Sequence, residues 1–505
     1  MKPDQLYIGI DSGTQGTKGI VYSTQHRTVL AEAYAEHNII ENSQGRREQD
    51  PAWWIEACTT VMEKILAHDR VNSGDVCAIG ISGQQHGMVP LDKDGQVIRP
   101  AKLWCDTETS TQCDIITEAV GGLDQVIDLI GNAVAAGFTA SKILWLKQEE
   151  PEAYERLASV LLPHDYINFW LTGERRTEYG DASGTAYFDV SARKWSVEIL
   201  NAIDPSGKLE ACLPELIPPE APHGVIRPAL ARQFGLPANT FVSSGGGDNM
   251  MGAIGTGNVS PGVVTTSLGT SGTIYAYSDH PVIDRKGELA AFCSSSGGWL
   301  PLVCTMNVTV STELIRDLLG LDLDGLNQKA SAAPPGAQGV ILLPYFNGER
   351  TPALPEARAS FHGLTGMNTT PQNVSRAAME GATLGLRYGL DVLRQQGIKP
   401  SEIRLVGGGA KSVLWRQMVA DLFKCPVICP ASTEAGALGA AVQSMWCHLS
   451  SQGEEAPLKD LADQHIAMDA ATRTLPDNAT SALYDDVYGR YLELDQAMRV
   501  INKAG

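Results

Sequence analysis

Near its start the chain gathers its apolar positions into short runs, Tyr7 to Asp11, Lys18 to Ser23 and Val29 to His37, separated by turn-rich pieces. Short runs of this kind bounded by turn residues predict three strands. From about Pro51 the pattern becomes WWIEACTTVMEKILAHD, apolar at helical spacing behind a proline that suits a first turn, which predicts a helix. The run VCAIGIS follows and ends at Ser82. The order βββαβ predicts an α/β lobe with a mixed sheet, not a plain doubly wound one.

Beyond Asp248 the pattern starts again. Val263 to Thr266 and Thr273 to Ser278 predict a hairpin around SLGTSG, and the strand-like runs GVILLPYF and IRLVGGG alternate with helical patterns at Pro371 to Arg394, Val413 to Phe423 and Ala435 to Cys447. From about Ser450 the chain is polar and then helix-like, with Tyr484, Val487, Tyr488 and Tyr491 at helical spacing. That predicts a C-terminal packing helix with no catalytic part. An internal echo links the two halves: aligning DSGTQGTK with SLGTSGTI pairs Gly13 with Gly269, Thr14 with Thr270, Gly16 with Gly272 and Thr17 with Thr273. Glycine and threonine are common in hairpins, so coincidence would also explain the match. The difference is more telling, because Asp11 and Lys18 occur only in the first copy. Two phosphate-holding turns, one of which recruits a metal, would look like this.

At 505 residues the chain is too long for one ordinary core, and two large lobes are expected. With 43% hydrophobic residues and no run approaching the ~20 consecutive apolar positions of a membrane helix, the composition is that of a soluble globular protein. The N-terminus MKPDQLYIGID shows no basic region, apolar stretch or cleavage site of a secretory signal, which predicts a cytoplasmic protein. Ten scattered cysteines without a CxxC pair predict reduced, buried thiols. A formal charge of -19 argues against nucleic-acid and anionic-membrane partners. A polyanionic ligand must then be held locally, by backbone N–H groups, a few cations or a metal.

Five short stretches carry candidate chemistry. DSGTQGTK puts Asp11 at a strand end before a turn of glycines and hydroxyls, which can cradle phosphate oxygens while the carboxylate holds a hydrated Mg2+; an ordinary hairpin with a capping Asp is an equal alternative. VSSGGGDNMMG places Asp248 and Asn249 between a glycine run and a helix expected to start near Asn249, where Asp248 could simply be its N-cap. LVGGGAKSV sets Gly408, Gly409 and Ala410 between a strand and a helix starting near Ser412 and Val413, open to a flat ligand or merely a tight connection. ISGQQHGMV ends a strand with Gln85 and His86, side chains suited to a polyhydroxylated ligand at a sheet edge, or to a polar loop. LWCDTETST offers Trp104 and Asp106, able to stack on a sugar and accept its hydroxyls, or else a core Trp beside a solvated acid.

Together these motifs resemble the FGGY family of carbohydrate kinases. GIDSGTQGTK resembles its first phosphate loop and SLGTSG its second, while LVGGGAKSVLWRQMVAD with EAGALGAA (Glu434 to Ala441) resembles its adenosine-binding region. GFTASKILWLKQE (Gly137 to Glu149) and ASFHGLTGMNTTPQNVSRAAME (Ala359 to Glu380) fit its two long signatures, so the resemblance spans residues 7–447. It implies two actin-like, ribonuclease H-like lobes, each with a mixed central sheet, around an interdomain cleft. Residues 1–250 would form the sugar-binding lobe, 251–450 the nucleotide-binding lobe and 451–505 a packing segment. By resemblance Asp248 is the general base, and Asp11 positions Mg2+. Gln85, His86, Asn249, Trp104 and Asp106 would bind sugar. Gly13, Thr14, Lys18, Gly269, Thr270 and Ser271 would hold the phosphates of ATP, and Gly408, Gly409, Ala410 and Val413 its nucleoside.

The pair GQQHG and GGGDN is most similar to members that phosphorylate D-xylulose, although ribulose, fuculose, gluconate and glycerol are handled on the same frame. One departure stands out: Thr107-Glu108 follows Asp106 where many members carry an arginine. The implied partners are a small sugar and ATP, and a homodimer is the one assembly anticipated. Closure of the lobes on the sugar would keep water from attacking ATP. An actin- or chaperone-like ATPase, or a non-catalytic sugar sensor, would share the turns but would not need both Asp248 and the GQQHG loop.

Overall fold

In the computed structural model, which describes residues 4–502, two mixed sheets form the centres of two lobes. The first has the strand order Pro222–Val225, Phe241–Ser243, Val76–Gly83, Leu6–Ser12, Gly16–Ser23, Thr28–Glu36, with Gly246–Gly247 also paired to Val76–Gly83. The second has the order Met468–Thr474, Val427–Pro430, Glu402–Val406, Val263–Ser267, Gly272–Ala276, Leu302–Thr305. Read in these directions, both sheets pair antiparallel, parallel, parallel, antiparallel, antiparallel. The two Gly/Thr turns that echo each other in sequence therefore close equivalent hairpins, one per lobe.

Leu6, Ile8 and Ile10 pack with Trp54 and Val61 of the helix Pro51–Leu66, whereas Tyr7 on the opposite face packs with Ala437 and Leu438. A strand covered on both faces is apolar along its covered length, as Leu6 to Ile10 are here. Asp50 caps the first helix by accepting from Ala52 N, and Pro51 occupies its first turn.

The helix Ala435–Ser451, placed by its sequence position within the second lobe, lies instead against the first lobe's sheet and crosses the helix Asp248–Gly255. The crossing is backbone to backbone: a Cβ added at Gly439 would sit 1.8 Å from the Met251 carbonyl oxygen. Small residues permit that approach and join the lobes at their seam.

Beyond Ser450 the structure holds more than a packing helix. Met468–Thr474 adds an edge strand to the second sheet, a role hidden by its polar, largely exposed sequence. The helix Asn478–Asn502 follows and buries Tyr484, Val487, Tyr488 and Tyr491 in the second core. Among the described residues no helix is long and apolar enough to cross a membrane, and all ten cysteines are free. Met1 to Pro3, which begin the N-terminal segment read above, lie outside the described residues.

Candidate active site

The seam between the lobes encloses a cavity of about 460 Å³. Gln85, His86, Trp104, Asp248 and Asn249 line it from the first half of the chain, and Ser267, Ser271, Thr273, Phe292 and Arg350 from the second. Residues chosen from widely separated motifs thus share one space.

Asp248 is not an N-cap. Gly246–Gly247 pairs with Ser82–Gly83 as a short strand, so the extended residue before the helix is Gly247 and Asp248 is already helical. Its Oδ1 accepts from the backbone N of Asn249 at 2.7 Å and from Asn249 Nδ2 at 3.1 Å. Burial, reinforced by the charges of Asp11 and Asp181, pushes its carboxyl up to about 7. A carboxyl poised there can hold or release a proton near neutrality.

Asp11 ends the strand Leu6–Ser12 beside Ser82, whose hydroxyl donates to its Oδ1 at 2.6 Å. Burial raises its carboxyl above the usual range, although Ser82 and Lys18 pull the other way. The adjoining turn closes through Gly13 N to Gly16 O at 3.0 Å. Thr14 is held from three sides: its hydroxyl donates to Gln84 Oε1 at 3.1 Å and accepts from Trp104 Nε1 at 3.0 Å, and its carbonyl accepts from Gln49 Nε2 at 2.7 Å. This fixes Trp104 at the cavity wall.

In the second hairpin the carbonyls of Gly269 and Thr270 accept from Thr309 N at 2.9 Å and Val308 N at 3.1 Å. Thr270 itself is exposed and Ser271 half-buried at the cavity. Gly409 N donates to Leu268 O at 3.0 Å, so the Gly408–Ala410 turn abuts this hairpin. Ser412 caps the following helix through Trp415 N, and Val413 is left 71% exposed beside it.

Two expected ligand contacts are placed elsewhere. Asp106 is fully buried away from the cavity, its Oδ2 3.1 Å from Lys102 Nζ and accepting from Arg47 N at 2.9 Å. Glu108, at the position of the departure noted above, lies 2.6 Å from the same ammonium, and Glu48 lies 3.2 Å from it. Lys102 thus sits at the centre of three carboxylates, and the cluster anchors the Trp104 loop with no need of a metal. Lys18 reaches across to Glu434, 2.7 Å away at the head of the helix Ala435–Ser451. It ties the first hairpin to that helix.

The sequence reading missed Arg350, Asn132, Phe138 and Phe292. Glu349 sets Arg350 in place, accepting from the backbone N atoms of Met306 at 2.7 Å and Arg350 at 2.8 Å and from Asn307 Nδ2 at 3.1 Å. The string FNGERTP was the available signal. Asn132 exchanges two hydrogen bonds with the backbone of Ala291 and so fixes Phe292, whose ring lies 5.3 Å from that of His86.

Duplicated mixed sheets whose leading hairpins border one cleft are the arrangement of the actin-like, two-lobed phosphotransferases. Residues 6–255 match the N-terminal domain, and 264–447 the C-terminal domain, of the FGGY family of carbohydrate kinases, and the chain belongs to that family. It is therefore a carbohydrate kinase, with ATP as phosphoryl donor. It is 48% identical to the xylulose kinase of Haemophilus influenzae, over 96% of this chain and 99% of that one. The crystal structure of xylulose kinase from Bifidobacterium adolescentis superimposes with a TM-score of 0.83 at 31% identity, covering 97% of this chain and 99% of that one. The gluconate kinase of Lactobacillus acidophilus superimposes with a TM-score of 0.90 at 24% identity, covering 98% of each chain, a likeness of fold alone.

Proposed function

We propose that the cleft transfers the γ-phosphoryl group of ATP to O5 of D-xylulose, giving D-xylulose 5-phosphate and ADP, with Asp248 as general base. The observation that carries this reading is the half-buried Asp248 carboxyl, pushed up to about 7 in a cavity that also presents Gln85, His86, Asn249 and Ser271. The names of the relatives support the choice of sugar.

In the step itself Asp248 accepts the proton from the O5 hydroxyl as the O5–phosphorus bond forms and the bond from phosphorus to the β,γ-bridging oxygen breaks. Proteins gain little from covalent catalysis here, and positioning with charge neutralisation does most of it. Gln85, His86 and Asn249 orient the sugar, with Trp104 as a wall. The backbone N–H groups around Gly13–Thr14 and Gly269–Ser271 cradle phosphate oxygens, and Gly408–Ala410 with Val413 receives the nucleoside. Arg350 supplies a cation inside the cavity.

Asp11 is the residue that fits Mg2+. It offers hard carboxylate oxygens at the strand end beside the first phosphate turn, and Gly436 lets the neighbouring helix start pass close to them, an added Cβ there lying 2.5 Å from Oδ2. Bound there, the metal would neutralise phosphate charge that the acidic cleft cannot. Closure about the crossed helices Asp248–Gly255 and Ala435–Ser451 would exclude water, which predicts slow ATP hydrolysis without sugar.

A coupled ADP-release assay over pentuloses, polyols and hexonates tests the substrate. D-xylulose should give the highest kcat/KM by at least about tenfold. Equal or better turnover of another sugar sinks the assignment, and rapid sugar-independent hydrolysis sinks the closure argument.

A further inference from the structure

A chain of four buried ionisable side chains runs from the cavity wall into the first lobe. His86 Nδ1 lies 3.1 Å from Asp181 Oδ1, Asp181 Oδ2 lies 3.1 Å from His164 Nδ1, and His164 Nε2 lies 2.9 Å from Asp165 Oδ1. Asp181, His164 and Asp165 are fully buried, and none of them lines the cavity. Only His86 does.

The backbone around His86 is built for one pose. Its φ is +61°, a left-handed conformation uncommon for a side chain of this size. The pose is held by Asp181 Oδ1, which accepts from His86 N at 3.3 Å, and by Thr139 Oγ1 and Lys142 Nζ, which donate to His86 O at 3.1 and 3.3 Å. Gly184 makes room for the ring, since an added Cβ there would sit 1.8 Å from His86 Nδ1. Phe138 and Phe292 pack on the ring at 4.9 and 5.3 Å between centroids.

Protonation follows from these contacts. Burial works against charge on Asp181, yet His164 and His86 hold its carboxyl down to about 2, so it is an ionised group that can only accept. Burial also opposes charge on His164, but Asp165 and Asp181 outweigh it and hold that imidazole well above its ordinary value. Burial keeps His86 below its ordinary value, with Asp181 opposing and Lys142 and Arg350 assisting. In a neutral ring the carboxylate 3.1 Å from Nδ1 favours the proton on that nitrogen by its charge, although the two atoms are not aligned as a hydrogen bond.

We infer that Asp181, anchored by His164, is a positioning residue that locks His86 in the Nδ1–H tautomer, leaving a bare Nε2 lone pair to accept a hydrogen bond from a sugar hydroxyl. Nδ1 has the Asp181 carboxylate as its near neighbour at 3.1 Å, off the line of a formed hydrogen bond, and Nε2 makes no hydrogen bond to protein among the described residues. An acceptor at this point selects for an alcohol and against a carboxylate or carbonyl oxygen in the same place, which separates ketoses and polyols presenting a hydroxyl from hexonates presenting their acid. The inference rests on the reading of the cavity as the sugar site.

The tautomer is measured directly by NMR of the sugar-free protein labelled with 15N-histidine, with His86 assigned by its loss in His86→Gln. A neutral ring protonated at Nδ1 near neutral pH is the expected result, and a ring protonated at Nε2 or at both nitrogens overturns the inference. This measurement needs no substrate and stands even if the sugar assignment fails. In steady-state assays Asp181→Asn should raise KM for the sugar about tenfold while KM for ATP stays within about twofold and kcat within about threefold. Equal losses in kcat and in both KM values would mark Asp181 as merely structural and overturn the positioning role.

Discussion

The side-chain amide of Asn249 donates to Gln85 Oε1 at 2.6 Å, joining residues 164 positions apart across the cavity floor. The same amide donates to Asp248 Oδ1 at 3.1 Å, so the sheet-edge loop, the helix start and the acid move as one unit. Gln85→Ala and Asn249→Ala should each raise KM for the sugar about tenfold, and the double variant should lose less than the product of the two. Steady-state kinetics on the four proteins give the coupling. Strict additivity would show that the pair does not act together.

The raised Asp248 carboxyl has a consequence for stability. Its folded value of about 7 lies above the ordinary 3.8, so its contribution is fully present below the ordinary value and is lost as pH rises through about 7. In the protein without nucleotide or metal, Asp248→Asn should therefore gain stability relative to the parent, by roughly 1–4 kcal/mol, between about pH 5 and about pH 8. Urea unfolding at the two pH values measures it. A difference independent of pH would mean that burial does not strain this carboxylate.

Glycines at the helix crossing and on the surface should respond in opposite ways. Gly439→Ala forces a Cβ to 1.8 Å from Met251 O, a backbone atom that cannot swing aside. A loss of about 3 kcal/mol or more is expected, together with weakened sugar dependence of ATP hydrolysis. Gly489, within the helix Asn478–Asn502, has nothing within 4 Å of an added Cβ, and Gly489→Ala should stabilise by roughly 0.5–1 kcal/mol. Denaturant unfolding of both variants checks the contrast.

Much of this was legible in the chain. The short apolar runs in Tyr7 to Ser23 and the helical spacing of Val413 to Phe423 fall where the structure has strands and a helix, because such runs suit strands covered on both faces and the helical period matches a buried face. Glycine- and threonine-rich turns are local, so both hairpins could be read. The N-cap alternative for Asp248 fell away because Gly247 is drawn into a strand by Gly83, a partner far away in sequence. Asp106 misled for a similar reason: its neighbour Lys102 looks like a surface charge until Trp145, over whose ring it lies at 4.0 Å, folds across it. The far wall of the cavity comes from Phe292 and Arg350, in segments without periodicity that only tertiary contacts place. Only the string FNGERTP around Arg350 gave a local signal.

Arg350 is the cavity cation that the acidic composition makes necessary. Replacing it with Ala should lower kcat about 10- to 100-fold with a smaller change in KM for the sugar, because its charge matters most as the phosphoryl group transfers. Arg350→Lys should recover part of the loss. An unchanged kcat for Arg350→Ala would remove it from the charge balance.

The general-base role of Asp248 is tested most directly by single-turnover phosphoryl transfer from ATP to D-xylulose in the parent and in Asp248→Asn, with sugar and metal saturating. Asparagine keeps the size of the side chain and removes its ability to accept the proton. The chemical step should slow by about a thousandfold or more, while ATP binding is retained. A step slowed by less than about tenfold would contradict the account.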